Sequence, residues 1–212
     1  MSTTKQQMLN TIRNALKDVP EDEHPENLSV ERNYRQSGQA SEKERTKLFA
    51  ERVDEFKATV DIISEGQLAV AIEEACTRNQ IKKLIVPPET PEEWLPAPVE
   101  LFYDKDKPLS HEELNLCDGV ITGCSVAIAE TGTIALVGGP AQGRRVLTLL
   151  PDYHICVVRS SQIVETVSEA FAQIKPQTPI TLISGPSATS DIELNRVEGV
   201  HGPRNLEVLI VQ

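Results

Sequence analysis

The feature that most constrains the fold is residues 59–86, where two short apolar runs flank a segment with helical spacing. Residues 59–63 and 83–86 are predicted to be strands, and residues 67–78 the helix between them. A strand, a helix and a strand at this spacing form a βαβ unit, which requires parallel strands and a right-handed crossover. Further strands are predicted at 99–103, 153–158, 179–184 and 206–211, and a further helix at 162–174. The sequence therefore predicts an α/β fold with a mainly parallel sheet.

Residues 119–137 add one hairpin to this pattern. The stretch is almost continuously apolar, and its main interruption is Glu130-Thr131-Gly132-Thr133. A strand at about 120–129, a tight turn at Thr131-Gly132 and a return strand at 133–137 are predicted, because glycine tolerates the positive φ of such a turn.

The first 40 residues are predicted to lie outside the α/β domain. Met8, Ile12 and Leu16 follow helical spacing and predict a helix at 3–17, whereas residues 18–40 are polar and read as a linker. A second helix is predicted at 41–57, where Ser41 and Glu44 have the spacing of a capping box. We therefore expect a helical N-terminal arm and linker at 1–40 and an α/β domain at 41–212.

Charge and hydropathy exclude several classes of protein. The net charge is −11 and no basic stripe is present, which argues against nucleic-acid binding. The N-terminus has no apolar signal region, and no apolar run approaches the roughly 20 residues that span a bilayer. A soluble, cytoplasmic protein without membrane insertion is expected.

The four cysteines are Cys76, Cys117, Cys124 and Cys156, which lie far apart and form no CxxC pair. Metal or iron–sulfur sites need closely spaced ligands, so reduced and mostly buried thiols are expected. No intrinsic cofactor and no metal are predicted.

Glu130 is the first candidate catalytic residue. It ends an apolar run and is expected to be buried, where lost hydration would raise its pKa toward acid–base use. The alternative is a turn carboxylate that accepts hydrogen bonds from exposed N–H groups. Thr131, Gly132 and Thr133, which follow it, are candidate ligand-binding residues.

Arg144 and Arg145 are candidate anion-binding residues. They follow the glycine-rich stretch 138–143, where backbone N–H groups can approach an anion, and guanidinium groups bind carboxylate or phosphate bidentately. The alternative is a flexible loop with two solvated arginines.

The loop after the predicted strand 179–184 holds further candidates, because open α/β sheets place ligands after strands. Ser190 and Glu193 fit a capping box, whose role is to start a helix, so they are not taken as ligand contacts. His201, between two glycines, is a candidate for proton transfer or a turn residue, and His24, His111 and His154 are interpreted as incidental. The candidate ligand-binding residues of this loop are Ser184, Gly185, Ser187, Thr189 and Asp191.

Several motifs resemble the lactate-utilisation protein C family, whose domain is called LUD. The motifs are Ala129-Glu130-Thr131-Gly132-Thr133, Tyr153-His154-Ile155-Cys156-Val157-Val158, Ile183-Ser184-Gly185-Pro186-Ser187 and Gly199-Val200-His201-Gly202-Pro203. The resemblance covers roughly residues 45–212. It implies a three-layer fold similar to ribose-5-phosphate isomerase and CoA transferases, and a place in a three-component system that oxidises L-lactate to pyruvate. It also implies that companion proteins carry the iron–sulfur clusters.

Three functions follow as hypotheses. The first is a subunit of the lactate-oxidising system without its own cluster, in which Arg144 or Arg145 holds a small carboxylate and His201 relays a proton. The second is a stand-alone enzyme that uses Glu130 on a phosphorylated or CoA-linked metabolite. The third is a scaffold whose N-terminal helices dock iron–sulfur partners. The oligomeric state stays open.

Overall fold

The computed structural model of the protein describes residues 3–20, 31, 33–189, 197–199 and 201–212. It divides into two compact units, Met1–Tyr34 and Arg35–Gln212. The division into an arm at 1–40 and a domain at 41–212 stays a prediction.

The first unit is built on helix α1, Thr4–Ala15. The helix begins with a capping box, in which Thr3 and Gln6 bond each other's backbone N–H groups. Its residues are all exposed, including the apolar side chains Met8, Leu9 and Ile12. The predicted amphipathic helix is therefore present with its apolar stripe facing solvent.

The second unit contains a six-stranded sheet in which every neighbouring pair is parallel. Its strands are β1 (Thr59–Ile63), β2 (Lys83–Val86), β3 (Glu100–Tyr103), β4 (Gly119–Thr122), β7 (Tyr153–Arg159) and β12 (Asn205–Val211). Their order is β1-β12-β7-β4-β2-β3. An α/β fold with a mostly parallel central sheet is thus confirmed.

A second, four-stranded sheet has the order β8-β5-β6-β9. Its strands are β5 (Val126–Ile128), β6 (Thr133–Leu136), β8 (Ile163–Val164) and β9 (Thr181–Ile183). Strands β5 and β6 form the predicted antiparallel hairpin, and Gly132 in its turn has a φ of +59°. The short strands β10 (Ala188–Thr189) and β11 (Val197–Glu198) pair with each other.

The helices of this unit are α2 (Glu42–Glu55), α3 (Leu68–Arg78), α4 (His111–Asn115) and α5 (Val167–Gln173). The capping box of Ser41 and Glu44 at the start of α2 is present as predicted. α3 covers one face of the central sheet, whereas α2, α4 and the second sheet cover the other. Alternate residues of β7 serve the two sides, with Ile155 facing α3 and Cys156 facing α2.

Three sequence predictions need correction. The run 120–129 is not one strand: β4 ends at Thr122, and the chain crosses to the second sheet before β5 begins. The predicted helix 162–174 begins only after Thr166, whose side chain caps it, and β8 occupies its first part. Strand β9 pairs antiparallel with β6 in the second sheet, so the loop that follows it is not a loop of the parallel sheet.

Among the described residues, no helix combines the length and the apolar character that crossing a bilayer requires.

Candidate functional site

A cleft of about 280 Å³ lies between the two sheets of the second unit. Its walls come from the first residues of β7 and β12, from β9 and the loop after it, and from the turns 145–148 and 201–203. The polar side chains that line it include Arg145, His154, Ser184, Ser187 and His201. The cleft therefore lies at the amino ends of the parallel strands, opposite the edge where open α/β sheets usually bind ligands.

The wall after β9 is fixed by close packing on the end of α2. Gly185 has a φ of +85°, and a Cβ there would lie 2.5 Å from Phe56 Cβ. Since only glycine tolerates both conditions, Gly185 sets the path of the wall rather than contacting a ligand through a side chain. Beside it, the hydroxyls of Ser184 and Thr133 lie 2.7 Å apart, which ties this wall to β6.

Ser187 connects this wall to the opposite turn. Its N–H donates to the carbonyl of Pro203 at 2.8 Å, and its Oγ accepts from the N–H of His201 at 3.0 Å. His201, which is exposed, is thereby held at the cleft by its backbone. No described residue bonds its ring, which leaves the ring available for a ligand.

Arg144 and Arg145 have different surroundings although they are adjacent. Arg144 Nε and Nη2 donate to the two carboxylate oxygens of Asp104 at 2.9 Å each, and Nη2 also donates to the Leu109 carbonyl. Burial alone would raise the pKa of Asp104, but the hydrogen bonds from Arg144 and the Leu109 N–H outweigh it and hold that pKa low.

Arg145 lines the cleft, is exposed, and has no ion pair within the described ranges of the chain. It also lines two adjoining depressions, of about 400 and 300 Å³. Of the two arginines, Arg145 is therefore the one placed to receive an anion.

His154 is the cleft residue that sequence reasoning missed, since it was interpreted as incidental. The residue is 1% exposed, and its Nε2 lies 2.7 Å from Thr122 Oγ1. Burial lowers its pKa to about 4, so the ring is neutral at neutral pH. A signal did exist: strand alternation places position 154 on the same face as Cys156, where an imidazole among apolar side chains needs polar partners.

Glu130 corrects another expectation. It lies beyond the end of β5, its side chain is 37% exposed, and it forms an ion pair with Arg35. Arg35 also donates to Glu165 at 3.1 Å. Glu130 is exposed because it lies in the hairpin turn, one residue after the buried Ala129. It does not line the cleft.

The residues after Glu130 pack on α2 instead of entering the cleft. A Cβ on Gly132 would lie 2.8 Å from Arg52 Cβ, which requires glycine there. Thr131 Oγ1 donates to Thr133 Oγ1 at 2.7 Å, and Thr133 reaches Ser184. This hydroxyl chain supports the wall of the cleft from behind.

The structure thus brings together Arg145, Ser184, Gly185, Ser187 and His201, adds His154, and leaves Glu130 and Arg144 outside. Thr189 lies in β10. The residues His24, Ser190, Asp191 and Glu193 lie outside the described residues. In the described part of the chain, no three His, Cys, Asp or Glu side chains are grouped as metal ligands.

Comparison with known proteins shows the family. The LUD domain matches residues 40–211. "Lactate utilization protein C" of Deinococcus radiodurans is 48% identical over 167 residues, which cover 77% of either chain. The protein of the same name from Shouchella clausii is 30% identical over 199 residues, covering 84% of this chain and 86% of its own.

A solved structure agrees with these relatives. The crystal structure of a DUF162 family protein from Deinococcus radiodurans has a TM-score of 0.70 and 38% sequence identity to this chain. The match covers 82% of this chain and 100% of that one. The domain match, the relatives and the fold agree, and the chain belongs to the LUD domain family.

Proposed function

We propose that the protein takes part in lactate utilisation and that its cleft binds a small carboxylate, L-lactate or pyruvate. Membership of the LUD domain family and two relatives named lactate utilization protein C support the pathway. The observation that carries the ligand is Arg145, an exposed guanidinium that lines the cleft beside Ser187 and His201.

The physical argument for a carboxylate is complementarity of charge and geometry. A guanidinium binds a carboxylate through two parallel hydrogen bonds, and such charge-assisted bonds are about twice as strong as neutral ones. Ser187 is engaged with the turn at His201, so the hydroxyl wall is pre-organised. The exposed His201 ring is the group in the cleft best placed to relay a proton to solvent.

Oxidation of L-lactate to pyruvate releases two electrons and two protons, so an electron acceptor is required. We place that acceptor on companion iron–sulfur proteins, in a three-component system. All four cysteines of this chain are buried, and buried structural thiols are unreactive, which supports that division. Burial raises the pKa of Cys76 and Cys117 to about 11 and that of Cys156 to about 12, and holds that of Cys124 well above its ordinary value.

The test is reconstitution of L-lactate-dependent reduction of an electron acceptor from this protein and its companion iron–sulfur proteins. Omitting this protein should abolish the reaction. Arg145→Met should lower the apparent affinity for L-lactate about tenfold or more, since it removes a charge-assisted contact. Lys47→Met is the matched control, because it removes an exposed cation on α2 that does not line the cleft.

Equal rates with and without this protein would discard the proposed subunit role. A normal affinity in Arg145→Met, together with a requirement for the protein, would reject the carboxylate site and keep the subunit role.

A further inference from the structure

His154 is a buried side chain with one nitrogen left unused. Nε2 lies beside Thr122 Oγ1, whereas Nδ1 has no hydrogen-bond partner among the described residues. Among the described residues, two side-chain nitrogens are fully enclosed and have no hydrogen-bond partner, Arg52 Nε and Trp94 Nε1. His154 Nδ1 also has no partner, but it is not fully enclosed. Because His154 lines the cleft, we take Nδ1 to open on the cleft.

The position of the ring proton follows from the surroundings of Thr122. Its hydroxyl has two acceptors within reach, His154 Nε2 at 2.7 Å and Cys156 Sγ at 3.8 Å. We assign the hydroxyl hydrogen to Nε2, because nitrogen is the nearer and the stronger acceptor. A neutral imidazole then carries its proton on Nδ1, and the cleft receives an N–H donor.

We infer that His154 contacts the ligand and selects for an oxygen on its second carbon, donating from Nδ1 to the hydroxyl or carbonyl oxygen of a 2-hydroxy or 2-oxo acid. This inference rests on the proposed function, in which Arg145 holds the carboxylate. The two residues line the same cleft, Arg145 exposed and His154 1% exposed, so a ligand that reaches both would meet them with different atoms.

The donor also explains how an unsubstituted acid is rejected. Propionate has the carboxylate but no oxygen on its second carbon, so it would leave the Nδ1–H covered and without an acceptor. A donor that is covered without an acceptor costs at least as much free energy as a neutral hydrogen bond contributes. Preference for pyruvate and L-lactate over propionate of about tenfold is expected.

Calorimetric titration of the protein with pyruvate, L-lactate and propionate tests the inference, using two variants of His154. An asparagine amide reaches about as far as Nδ1, whereas a glutamine amide reaches about as far as Nε2. His154→Asn should keep most of the preference over propionate and lose the bond to Thr122. His154→Gln should keep that bond and lose the preference.

A purely structural His154 predicts the reverse, with the preference unchanged in His154→Gln, and that result would overturn the inference. A second measurement needs no variant: the ¹⁵N resonance of Nδ1 in the wild-type protein should shift on titration with pyruvate. If the Arg145 guanidinium signal shifts and Nδ1 does not, the inference fails while the carboxylate site stands. If none of the three acids binds, the carboxylate site and the inference fail together.

Discussion

Two neighbouring residues of β7 show opposite ways of burying a polar group. Tyr153 faces the α3 side of the central sheet, where its hydroxyl donates to the carboxylate of Glu207. Arg78 Nη2 lies 2.5 Å from the other oxygen of Glu207, and Asn79 Nδ2 donates to the tyrosine oxygen at 2.7 Å. Burial and the Glu207 carboxylate raise the pKa of Tyr153, so its hydroxyl keeps its proton.

His154, one residue later, faces the other side, and among the described residues its ring has a single hydrogen-bond partner, Thr122. The network of Glu207 is closed by protein groups, whereas the imidazole has one nitrogen open to the cleft. Arg144 and Arg145 repeat this contrast, since the first is bound to Asp104 and the second is not paired in the described structure. Under the proposed function, the closed polar groups hold the fold and the open ones contact a ligand.

The largest test of this contrast is Glu207→Ala. Glu207 is 2% exposed, and its loss leaves Tyr153 and Arg78 without their acceptor. The Arg78 side chain is 53% exposed and returns to water, so the cost comes from the buried tyrosine hydroxyl and from the cavity that the lost side chain leaves. Together these should cost about 3 kcal/mol, which urea unfolding would measure. Pyruvate affinity of the folded protein should stay unchanged. A cost below about 1 kcal/mol, within the range of an ordinary surface change, would show that the closed network does not hold the fold.

A second test uses the pH dependence of stability. The unfolded chain protonates this imidazole near pH 6.5, whereas burial lowers the pKa of His154 in the folded protein to about 4. The unfolded state therefore binds more protons between these values, so the unfolding free energy falls as the pH drops from 6.5 to 4 and is fully retained above 6.5.

The expected loss over this window is about 3 kcal/mol more in the wild-type protein than in His154→Gln. Urea unfolding of both proteins between pH 4 and 7 gives the difference directly, because carboxylates that titrate in the same range contribute equally to both. Parallel curves would mean that the ring is solvated and that the cleft does not enclose it.

The contrast between closed and open groups also marks how far sequence reasoning reached. The helix caps and the parallel strands follow from local spacing, so the start of α2 at Ser41 and the βαβ unit were predictable. The second sheet was predictable only as its hairpin. Strands β5 and β6 are buried along their whole length, so no alternation identifies which further strands pair with them.

The site was predictable only in part, for a related reason. Arg145, Ser187 and His201 were recognised as chemically suited residues, but nothing local distinguished Arg145 from Arg144. That distinction depends on Asp104, which lies 40 positions away from Arg144. His154 was missed because its role depends on a cleft formed by β9 and the turn at 201–203, which are distant in sequence.

The smallest effect, and the sharpest comparison, is expected from exchanging each arginine for methionine. Arg144→Met removes the partner of Asp104, which is 6% exposed, and should destabilise the fold by about 2 kcal/mol. Arg145→Met should change stability by less than about 0.5 kcal/mol, because its guanidinium is exposed. Pyruvate affinity should respond in the opposite order, falling about tenfold or more only in Arg145→Met.

Urea unfolding and calorimetric titration on the same two preparations would measure both quantities. The two variants control for each other, because they remove the same group from adjacent positions. If Arg144→Met loses affinity and Arg145→Met keeps it, the Asp104 pair is part of the binding site, and closed polar groups do not belong to the fold alone. If each variant changes only the quantity expected, then Arg144 contributes to stability and its neighbour Arg145 to ligand recognition.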